Sequence, residues 1–325
     1  MTQTAIPSPD RAAGYRHEAF LWNGIESFLS RTVPFVTDAL AEDVPVMVAL
    51  PGSHWEPLRD ALGDEARRVR FMDMTALGHN PARIIPAWID FIAENGGGTR
   101  PLRGLGEPIW AGRREPEIVE CQVHEVMLNV AVPATMPFWL LCPYDAAALP
   151  PDVLDHARRS HPSVVGGEPT DVVGTDVIGT AVRSAHLDPL SLFARELPAP
   201  GGPTEELTFG HGGLASVRRL VERVGAQAGV SAPRLGDVVL GVNEVAANSL
   251  DHGGGTGVLR AWREADAVIF EVSDRGRIAD PLVGRTTPTA IQPRGRGLWM
   301  VNRLCDLVQI RSTPAGTVIR VVTWL

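Results

Sequence analysis

Hydrophobic residues in the first half of the chain alternate between helical spacing and short uninterrupted runs. Apolar residues recur every three or four positions along Phe20–Val36, Ile84–Glu94 and Glu115–Val130, which predicts three amphipathic helices. Continuous apolar runs predict buried strands at Val44–Leu50, Val69–Met72 and Phe138–Cys142. Since buried strands that alternate with helices usually pair in parallel, the pattern predicts an N-terminal α/β domain with a parallel sheet.

The second half shows a different order of elements. Amphipathic spacing predicts helices at Leu214–Val224, Pro233–His252 and Leu298–Cys305. Strands are predicted at Leu207–Phe209, Gly257–Trp262, Ala267–Val272, Leu307–Ile310 and Thr317–Val322. Because two helices precede most of the strands, we expect a layered α/β sandwich with a mixed sheet.

Clusters of proline and glycine separate the two halves. They lie at Gly166–Pro169 and Pro198–Pro203, and such clusters are typical of linkers. We therefore predict a linker over 166–205, within which Ile178–Leu192 forms a short helix or an extended connector. Residues 1–14 are predicted to be a flexible N-terminus, which gives domains over 15–165 and 206–325.

The absence of lysine limits the chemistry of the chain, since all 30 of its basic residues are arginines. Without an amine side chain the protein cannot form a Schiff base, anchor pyridoxal phosphate or place a P-loop lysine on phosphates. Any phosphate site must therefore use backbone amides, arginine, helix N-termini or a metal ion.

The remaining composition favours a cytoplasmic protein without a nucleic-acid or membrane partner. The net charge is -8, and no arginine-rich tract is present. No run of eighteen apolar residues predicts a membrane span, and the first residues lack the pattern of a secretory signal. Cys121, Cys142 and Cys305 are widely spaced, as in proteins of a reducing compartment.

A carboxylate and an amide share one face of the predicted helix Pro233–His252. Glu244 and Asn248 are four residues apart and therefore neighbours on the helix surface. Their oxygens suit a hydrated Mg²⁺ that also binds phosphate oxygens. Taken alone, the pair is more typical of a solvated helix face.

Three further motifs follow in order along the chain. Asp274-Arg-Gly276 comes directly after a predicted strand, where a carboxylate can accept a hydrogen bond from an exocyclic amine and glycine permits close approach. Gly295-Arg296-Gly297-Leu298 opens a helix and offers backbone amides to a phosphate. Thr317 leads the last strand, where its hydroxyl can bond a base. Each motif alone is also common in turns and loops.

The order of these motifs resembles the GHKL ATPase superfamily, which has the Bergerat fold of histidine kinases and gyrase. Over 206–325 the chain is most similar to bacterial anti-sigma-factor serine kinases. The resemblance implies Mg-ATP as ligand and Glu244 as the general base. It also implies that Asn248 ligates Mg²⁺, Asp274 and Thr317 contact adenine, and the remaining ATP-binding residues are Gly276, Gly295, Arg296, Gly297 and Leu298.

One position departs from the family pattern. Ile278 stands where a second glycine is usual in the box that begins at Asp274. The substitution leaves open whether this site transfers phosphate or only binds nucleotide.

The N-terminal half resembles the MEDS sensory domain, which is related to the RecA/KaiC-type ATPase fold. The resemblance rests on His17–Leu21, Gly106–Trp110, Glu120–Glu125 and Leu141–Asp145. After the predicted strand Val44–Leu50, the sequence Pro-Gly-Ser-His-Trp lacks the lysine and second glycine of a P-loop. The resemblance implies a degenerate nucleotide fold that serves sensing or protein contact.

Two weaker hypotheses concern the same half. Cys121, His124 and Glu125 lie close together on one predicted helix, and His17 could join them in a metal or redox site. Glu107 and Trp110 could line a ligand pocket. Because two ligands on one helix do not make a site, a packed helix is the favoured interpretation of the first group.

The two resemblances together predict a cytosolic regulator in which a sensor controls an ATP-binding, anti-sigma-factor-like serine/threonine kinase module. The implied partners are a sigma factor, an anti-anti-sigma protein of the STAS type, or both, with a small-molecule signal at the N-terminal domain. Such kinases are often dimeric, and the sequence leaves a homodimer open. Two alternatives also stay open: a sensor histidine kinase using His156, His161 or His186, and a non-catalytic protein that binds its partner when nucleotide is bound.

Overall fold

The computed structural model describes residues 14–166, 187–288 and 295–325. The predicted flexible N-terminus up to residue 13, the central part of the predicted linker and His186 lie outside the described residues. The described chain divides into two compact units. Residues 14–73, 89–110 and 129–166 form the first unit, and residues 74–88, 111–128, 187–288 and 295–325 form the second. The predicted domain boundaries remain predictions.

The first unit contains a sheet of six parallel strands. The strands are β1 (Arg16–Trp22), β2 (Val46–Leu50), β3 (Arg70–Asp73), β4 (Leu102–Gly106), β5 (Phe138–Asp145) and β6 (Ser163–Gly166). They are arranged in the order β3-β2-β4-β5-β1-β6. The predicted parallel α/β fold of the N-terminal half is therefore confirmed.

Helices precede and follow the strands as expected for parallel connections. They are α1 (Gly24–Ala41), α2 (Gly52–Leu62), α3 (Met74–Leu77), α4 (Ile84–Glu94), α5 (Glu115–Ala131) and α6 (Pro151–Ser160). The division into units assigns α3 to the second unit and cuts both α4 and α5. Aromatic and aliphatic side chains of β1, α1 and β2 form the core of the first unit, among them Phe20, Trp22, Phe28 and Val48.

The sequence pattern misplaced the start of the first helix. Phe20 and Leu21 belong to β1, and α1 begins only at Gly24. Six consecutive residues of β1 are buried, so the strand shows no apolar/polar alternation and its apolar residues run into the pattern of the next helix. Gly24 has φ +75°, which breaks the chain direction between the two elements.

The second unit contains a sheet of five strands. They are β7 (Glu205–Gly210), β8 (Thr256–Arg263), β9 (Ala267–Asp274), β10 (Leu307–Thr313) and β11 (Gly316–Trp324), in the order β10-β11-β9-β8-β7. All four pairings are antiparallel, so the predicted mixed sheet is wrong. Of the four strands after α9, β8 pairs with β9 and β10 pairs with β11, and β11 pairs with β9, each time antiparallel.

The helices of this unit are α7 (Pro189–Phe193), α8 (Leu214–Ala228), α9 (Ala232–His252) and α10 (Gly297–Leu304). Val221 of α8, Val242 of α9 and Val301 of α10 are fully buried. Each fully buried side chain of this size contributes roughly 1.5–3 kcal/mol. This packing fixes α9 and α10 relative to the sheet and confirms the predicted α/β sandwich. Within the described residues we find no helix with the length and apolar character of a membrane span.

Candidate functional site

Helix α9 carries the first two candidate residues. Its buried side includes Val242 and Val245, whereas Glu244 and Asn248 are half-buried on a neighbouring face. A Cβ atom built on Gly297 would lie 3.2 Å from Asn248 Nδ2 and 3.3 Å from Glu244 Oε2. The start of α10 therefore lies directly against these two polar groups, and a side chain at residue 297 would crowd them.

Asp274, the last residue of β9, is held by two hydrogen bonds. Ser249 Oγ donates to Oδ2 at 2.6 Å, and the Gly276 backbone N–H donates to Oδ1 at 2.7 Å. Gly253 lies so close that a Cβ there would be 2.4 Å from Asp274 Cγ. The carboxylate thus has one fixed orientation, and its remaining lone pairs are the acceptors available to a ligand.

Thr317 joins the start of β11 to the turn after Asp274. Its hydroxyl donates to the Gly276 carbonyl at 2.9 Å and lies 3.0 Å from Ser312 Oγ. Ser312 Oγ in turn accepts from the Ile278 backbone N–H at 2.9 Å. Gly316 has φ +145°, and a Cβ on it would be 2.1 Å from the Asp274 carbonyl oxygen. These contacts fix the turn backbone against the last strand.

A cavity of about 310 Å³ lies between α9, the turn after β9 and the start of α10, and we call it the α9–β9 cavity. Seven of the predicted residues line it: Asn248, Asp274, Gly276, Gly295, Gly297, Leu298 and Thr317. Glu244 and Arg296 are not among the lining residues. Arg296 is exposed, and Glu244 adjoins the cavity through Gly297.

Several residues in or beside the α9–β9 cavity are not predicted from the sequence. Ser249 and Gly253 orient Asp274, and His252 forms part of the wall. Ser249 follows Asn248 directly and Gly253 ends α9, but their role depends on contact with a strand more than twenty residues later. Ile278 also lines the cavity, so the side chain that departs from the family pattern faces the candidate ligand site.

A larger hollow of about 700 Å³ lies on the other side of the second sheet, along Arg260, Glu271 and Arg320. Glu271 and Arg320 form a buried ion pair at 2.7 Å, so their charges already neutralise each other. Asn248, Gly295 and Gly297 are absent from its lining. We therefore assign the candidate chemistry to the smaller α9–β9 cavity.

A buried ionic cluster lies in the second unit, and one of its members, Arg311, lines the larger hollow. Glu120, in the first turns of α5, accepts from Arg311 Nη2 at 2.8 Å and from Arg285 Nη2 at 3.5 Å. Gln309 Nε2 donates to the same carboxylate at 3.4 Å. Burial lowers the pKa of Arg285, although the attraction of Glu120 opposes this. The Glu120 carboxylate thus offsets the charges of two buried guanidinium groups.

A second contact in the same unit joins residues after α3 to α10. Asn80 Nδ2 donates to the Asn302 carbonyl and to Asn302 Oδ1, both at 3.2 Å. Asn302 Nδ2 donates to the Gly284 carbonyl at 3.0 Å. Gly284 directly precedes Arg285, so the Asn80–Asn302 contact and the Glu120 cluster fix the same stretch of chain.

In the first unit, a buried carboxylate pairs with a histidine near the start of α2. His54 lies in α2 directly after β2, and its Nδ1 is 2.7 Å from Glu107 Oε2, at the end of the adjacent strand β4. Burial raises the pKa of Glu107 to about 7, although His54 pulls it down. The pKa of His54 is raised overall: burial alone lowers it, but the hydrogen bond and the charge attraction to Glu107 have the larger combined effect.

This pair predicts a pH dependence of stability. The folded-state pKa of Glu107, about 7, lies above its ordinary value of 4.5, so the folded state binds the proton more tightly. The resulting stabilisation is complete below pH 4.5 and is lost as the pH rises through 7. A shift of this size corresponds to about 3 kcal/mol. We expect Glu107→Gln to flatten the decline of unfolding free energy between pH 4.5 and 8.

The measurement is denaturant unfolding of the full chain across that pH range. Glu56→Gln is the matched control, because Glu56 is exposed on the same helix α2. An identical pH slope in Glu107→Gln and the wild type would contradict the assignment.

Of the predicted metal or redox group, Cys121 and His124 are not in the cluster of ligating side chains found among the described residues. Cys121, His124 and Glu125 are all buried, and burial raises the pKa of the Cys121 thiol to about 12, which disfavours the thiolate. His17 instead lies 3.4 Å from Cys142 Sγ.

Trp110 is half-buried next to the Glu107 segment. His161 is fully buried and bonded to the Ala157 carbonyl, which disfavours it as a phospho-acceptor.

Comparisons with known proteins match one family model to each half of the chain. Residues 16–162 match the family model of the MEDS domain, the "MEthanogen/methylotroph, DcmR Sensory domain". Residues 211–323 match the family model of the histidine kinase-like ATPase domain, which implies ATP as the nucleotide. No curated protein matches the chain.

One solved structure with local similarity contains the RsbU and RsbW domains of Rv1364c from Mycobacterium tuberculosis. The match has 22% sequence identity and a TM-score of 0.29, and it covers 38% of this chain. It spans 32%, about a third, of that structure's own chain.

Proposed function

We propose that this chain, a MEDS domain followed by a histidine kinase-like ATPase domain, is a cytoplasmic regulator in which a sensor controls an ATP-dependent protein serine/threonine kinase of the anti-sigma-factor type. The observation that carries the proposal is the α9–β9 cavity, where Asn248, Asp274, Gly297 and Thr317 come together from four separate elements. The partners we propose are a sigma factor, a STAS-type anti-anti-sigma protein, or both.

The donor set of this cavity suits a magnesium nucleotide. Asn248 offers an amide oxygen, the group that a hard cation accepts, and Gly297 leaves open the space that a Cβ would fill next to it. The N-terminus of α10 presents backbone amides to phosphate, as a chain without lysine requires. Asp274 offers a fixed acceptor to the exocyclic amine of adenine. Bound Mg²⁺ would neutralise charge on the phosphates.

Glu244 is the residue we assign to proton transfer. It lies one helical turn before Asn248 and next to Gly297, so it adjoins the expected position of the terminal phosphate. In the proposed step its carboxylate accepts the proton of a substrate serine hydroxyl. The hydroxyl oxygen then bonds to the γ-phosphorus, the bond to the β–γ bridging oxygen breaks, and ADP leaves.

Contacts inside the second unit support control by the sensor. Asn80 and Glu120 belong to the stretch that matches the MEDS domain, whereas Asn302, Arg285 and Arg311 belong to the stretch that matches the ATPase domain. These residues bond one another within one compact unit. A change in the MEDS stretch can therefore reach the chain that borders the nucleotide cavity without any covalent signal.

The decisive prediction concerns Glu244→Gln. The variant is expected to bind ATP as the wild type does but to transfer phosphate at least 100-fold more slowly, because general acid–base groups typically contribute 10²–10⁴-fold. A pull-down with and without ATP, followed by mass spectrometry of phosphoserines, first identifies the substrate. Transfer of labelled phosphate to it then compares the wild type, Glu244→Gln and Glu222→Gln, an exposed control on α8.

The same assay separates the alternatives. If neither the wild type nor the variant transfers phosphate while both bind the partner in the presence of ATP, the protein is a nucleotide-dependent binding protein. The side chain of Ile278 in the cavity wall favours that second candidate. Label on histidine instead of serine would identify a histidine kinase.

A further inference from the structure

A cluster of metal-binding side chains lies in the first unit, and none of its members lines the α9–β9 cavity. It comprises His17 of β1, Cys142 of β5 and His161, the residue after α6. Their exposed fractions are 1%, 1% and 0%, and their ligating atoms lie within 4.8 Å of one another. Three such groups in a closed interior call for an explanation, since the nucleotide chemistry uses none of them.

The sheet register brings the first two together. β1 and β5 are parallel neighbours, and Cys142 pairs with Ala19, two residues beyond His17 on the same face of the strand. His17 Nε2 lies 3.4 Å from Cys142 Sγ. In a tetrahedral zinc site with ordinary bond lengths, a nitrogen and a sulfur ligand stand about 3.6 Å apart. The observed separation therefore suits two ligands of one ion.

Hydrogen bonds fix the tautomer of His17. Asn129 Nδ2 donates to the Ser160 carbonyl at 2.8 Å, which orients the amide so that Asn129 Oδ1 faces His17 Nδ1 at 3.0 Å. An amide oxygen only accepts, so Nδ1 of His17 carries the proton. Nε2, the atom near Cys142, then presents the lone pair that a metal requires.

His161 has the same arrangement. Its Nδ1 lies 2.8 Å from the Ala157 carbonyl oxygen, which also only accepts. Nδ1 therefore carries the proton and Nε2 presents its lone pair. In both histidines one ring nitrogen donates to a carbonyl-type oxygen, the usual outer contact of a metal-bound imidazole. The rings of His17 and His161 are 4.1 Å apart between centroids.

The three side chains suit one metal ion. Two neutral imidazoles and one thiolate give three protein ligands, and a fourth position of a tetrahedral ion then remains for water or an exogenous ligand.

We propose that His17, Cys142 and His161 bind a divalent transition-metal ion of the zinc class. Thiolate and imidazole select zinc, cobalt or a related ion over Mg²⁺ and Ca²⁺, which prefer oxygen ligands. The ion ties β1, β5 and the residue after α6 into one structure. The site is independent of the proposed kinase activity.

The test uses the full chain, stripped with a chelator and titrated with Co²⁺. We expect one equivalent to bind and to produce the near-ultraviolet charge-transfer absorption of a cobalt–thiolate bond. Zn²⁺ is expected to displace the cobalt and abolish the absorption. A wild-type chain that binds no Co²⁺ or Zn²⁺, or that shows no thiolate absorption, would overturn the proposal.

Variants assign the ligands. Cys142→Ser is expected to lose the charge-transfer absorption and at least 100-fold in zinc affinity, and His161→Gln to lose affinity by 10- to 100-fold or more. Cys305→Ser, which alters a buried thiol in the second unit, is expected to bind like the wild type. Circular dichroism checks that each variant folds. If Cys142→Ser does not fold, the cobalt absorption spectra of the wild type and His161→Gln test the site instead. Retention of the absorption in a folded Cys142→Ser would refute the site.

Discussion

Asp274→Asn is expected to lower the affinity for ATP by about 100-fold. Both carboxylate oxygens of Asp274 accept hydrogen bonds from neighbours, Ser249 Oγ and the Gly276 backbone N–H. Asparagine has one acceptor oxygen, so it either loses one of these bonds or turns its amide N–H₂ toward the amine of adenine. A hydrogen bond to a charged group contributes roughly 1.5–3 kcal/mol, and 1.4 kcal/mol is a tenfold change in affinity.

Base selectivity distinguishes recognition from a general loss of structure. An amide at residue 274 can donate to a carbonyl on the base, so the affinity for ATP is expected to fall while the affinity for GTP does not, and the preference for ATP over GTP falls with it. Calorimetric titration of both nucleotides measures this ratio. Asp251→Asn, an exposed carboxylate on α9, is the isosteric control and is expected to bind ATP normally.

A second variant distinguishes contacts to the base from contacts to Mg²⁺ and the phosphates. Asn248→Ala is expected to weaken ATP binding mainly when Mg²⁺ is present, because the proposed role of Asn248 is toward the cation. Asp274→Asn, in contrast, is expected to weaken binding with and without Mg²⁺. Equal affinities in the wild type and both variants would show that the α9–β9 cavity is not the nucleotide site.

The motifs of the second unit could be predicted from sequence because their chemistry is local. Asp274, Gly276 and Gly297 each sit at the end or the start of an element, where glycine and turn residues mark the boundary. Their order along the chain resembles the GHKL superfamily, and that resemblance implies one nucleotide site. Ser249 and Gly253 could not be found in this way, since only the tertiary contact with Asp274 gives them a role.

The strands of the first unit show a similar limit. β2 and β5 are continuous apolar runs and were predicted, whereas β4, with the sequence LRGLG, carries an arginine and two glycines and was missed. The predicted helix Phe20–Val36 wrongly includes the end of β1, because β1 is buried at six consecutive positions and shows no alternation. Arg103 of β4 is nevertheless buried, and its guanidinium donates to the Phe35 carbonyl at 2.6 Å. A local pattern cannot anticipate a partner 68 residues away.

The same limit explains the metal ligands. Sequence spacing draws attention to Cys121 and His124, which are close on one helix. The structure instead joins His17 to Cys142, which are 125 residues apart, through the register of two parallel strands. Since a one-residue slip in register would turn either side chain to the other face of the sheet, this pairing depends on the whole fold.

Glu120→Gln is expected to destabilise the second unit by about 3–5 kcal/mol, the usual cost of breaking a buried ion pair by removing one partner. Glu120 faces Arg285 and Arg311, whose side chains are 2% and 5% exposed. Glutamine keeps the shape but removes the negative charge, so two guanidinium groups remain buried without compensation. For a unit of this size such a loss lowers the Tm by roughly 10 °C.

Removing one of the two uncompensated arginine charges is expected to restore part of the lost stability. Arg285→Met in the Glu120→Gln background leaves a single buried guanidinium and fills similar space, so the double variant is expected to be more stable than Glu120→Gln alone. Glu115→Gln, at the exposed start of α5, should have little effect on unfolding. Thermal unfolding of the four proteins, with and without ATP, measures both the stability and the ligand-induced shift. If Glu120→Gln unfolds at the same temperature as the wild type, the Glu120 carboxylate does not neutralise the buried arginines. The contact between the MEDS stretch and the chain beside the nucleotide cavity would then contribute nothing to stability.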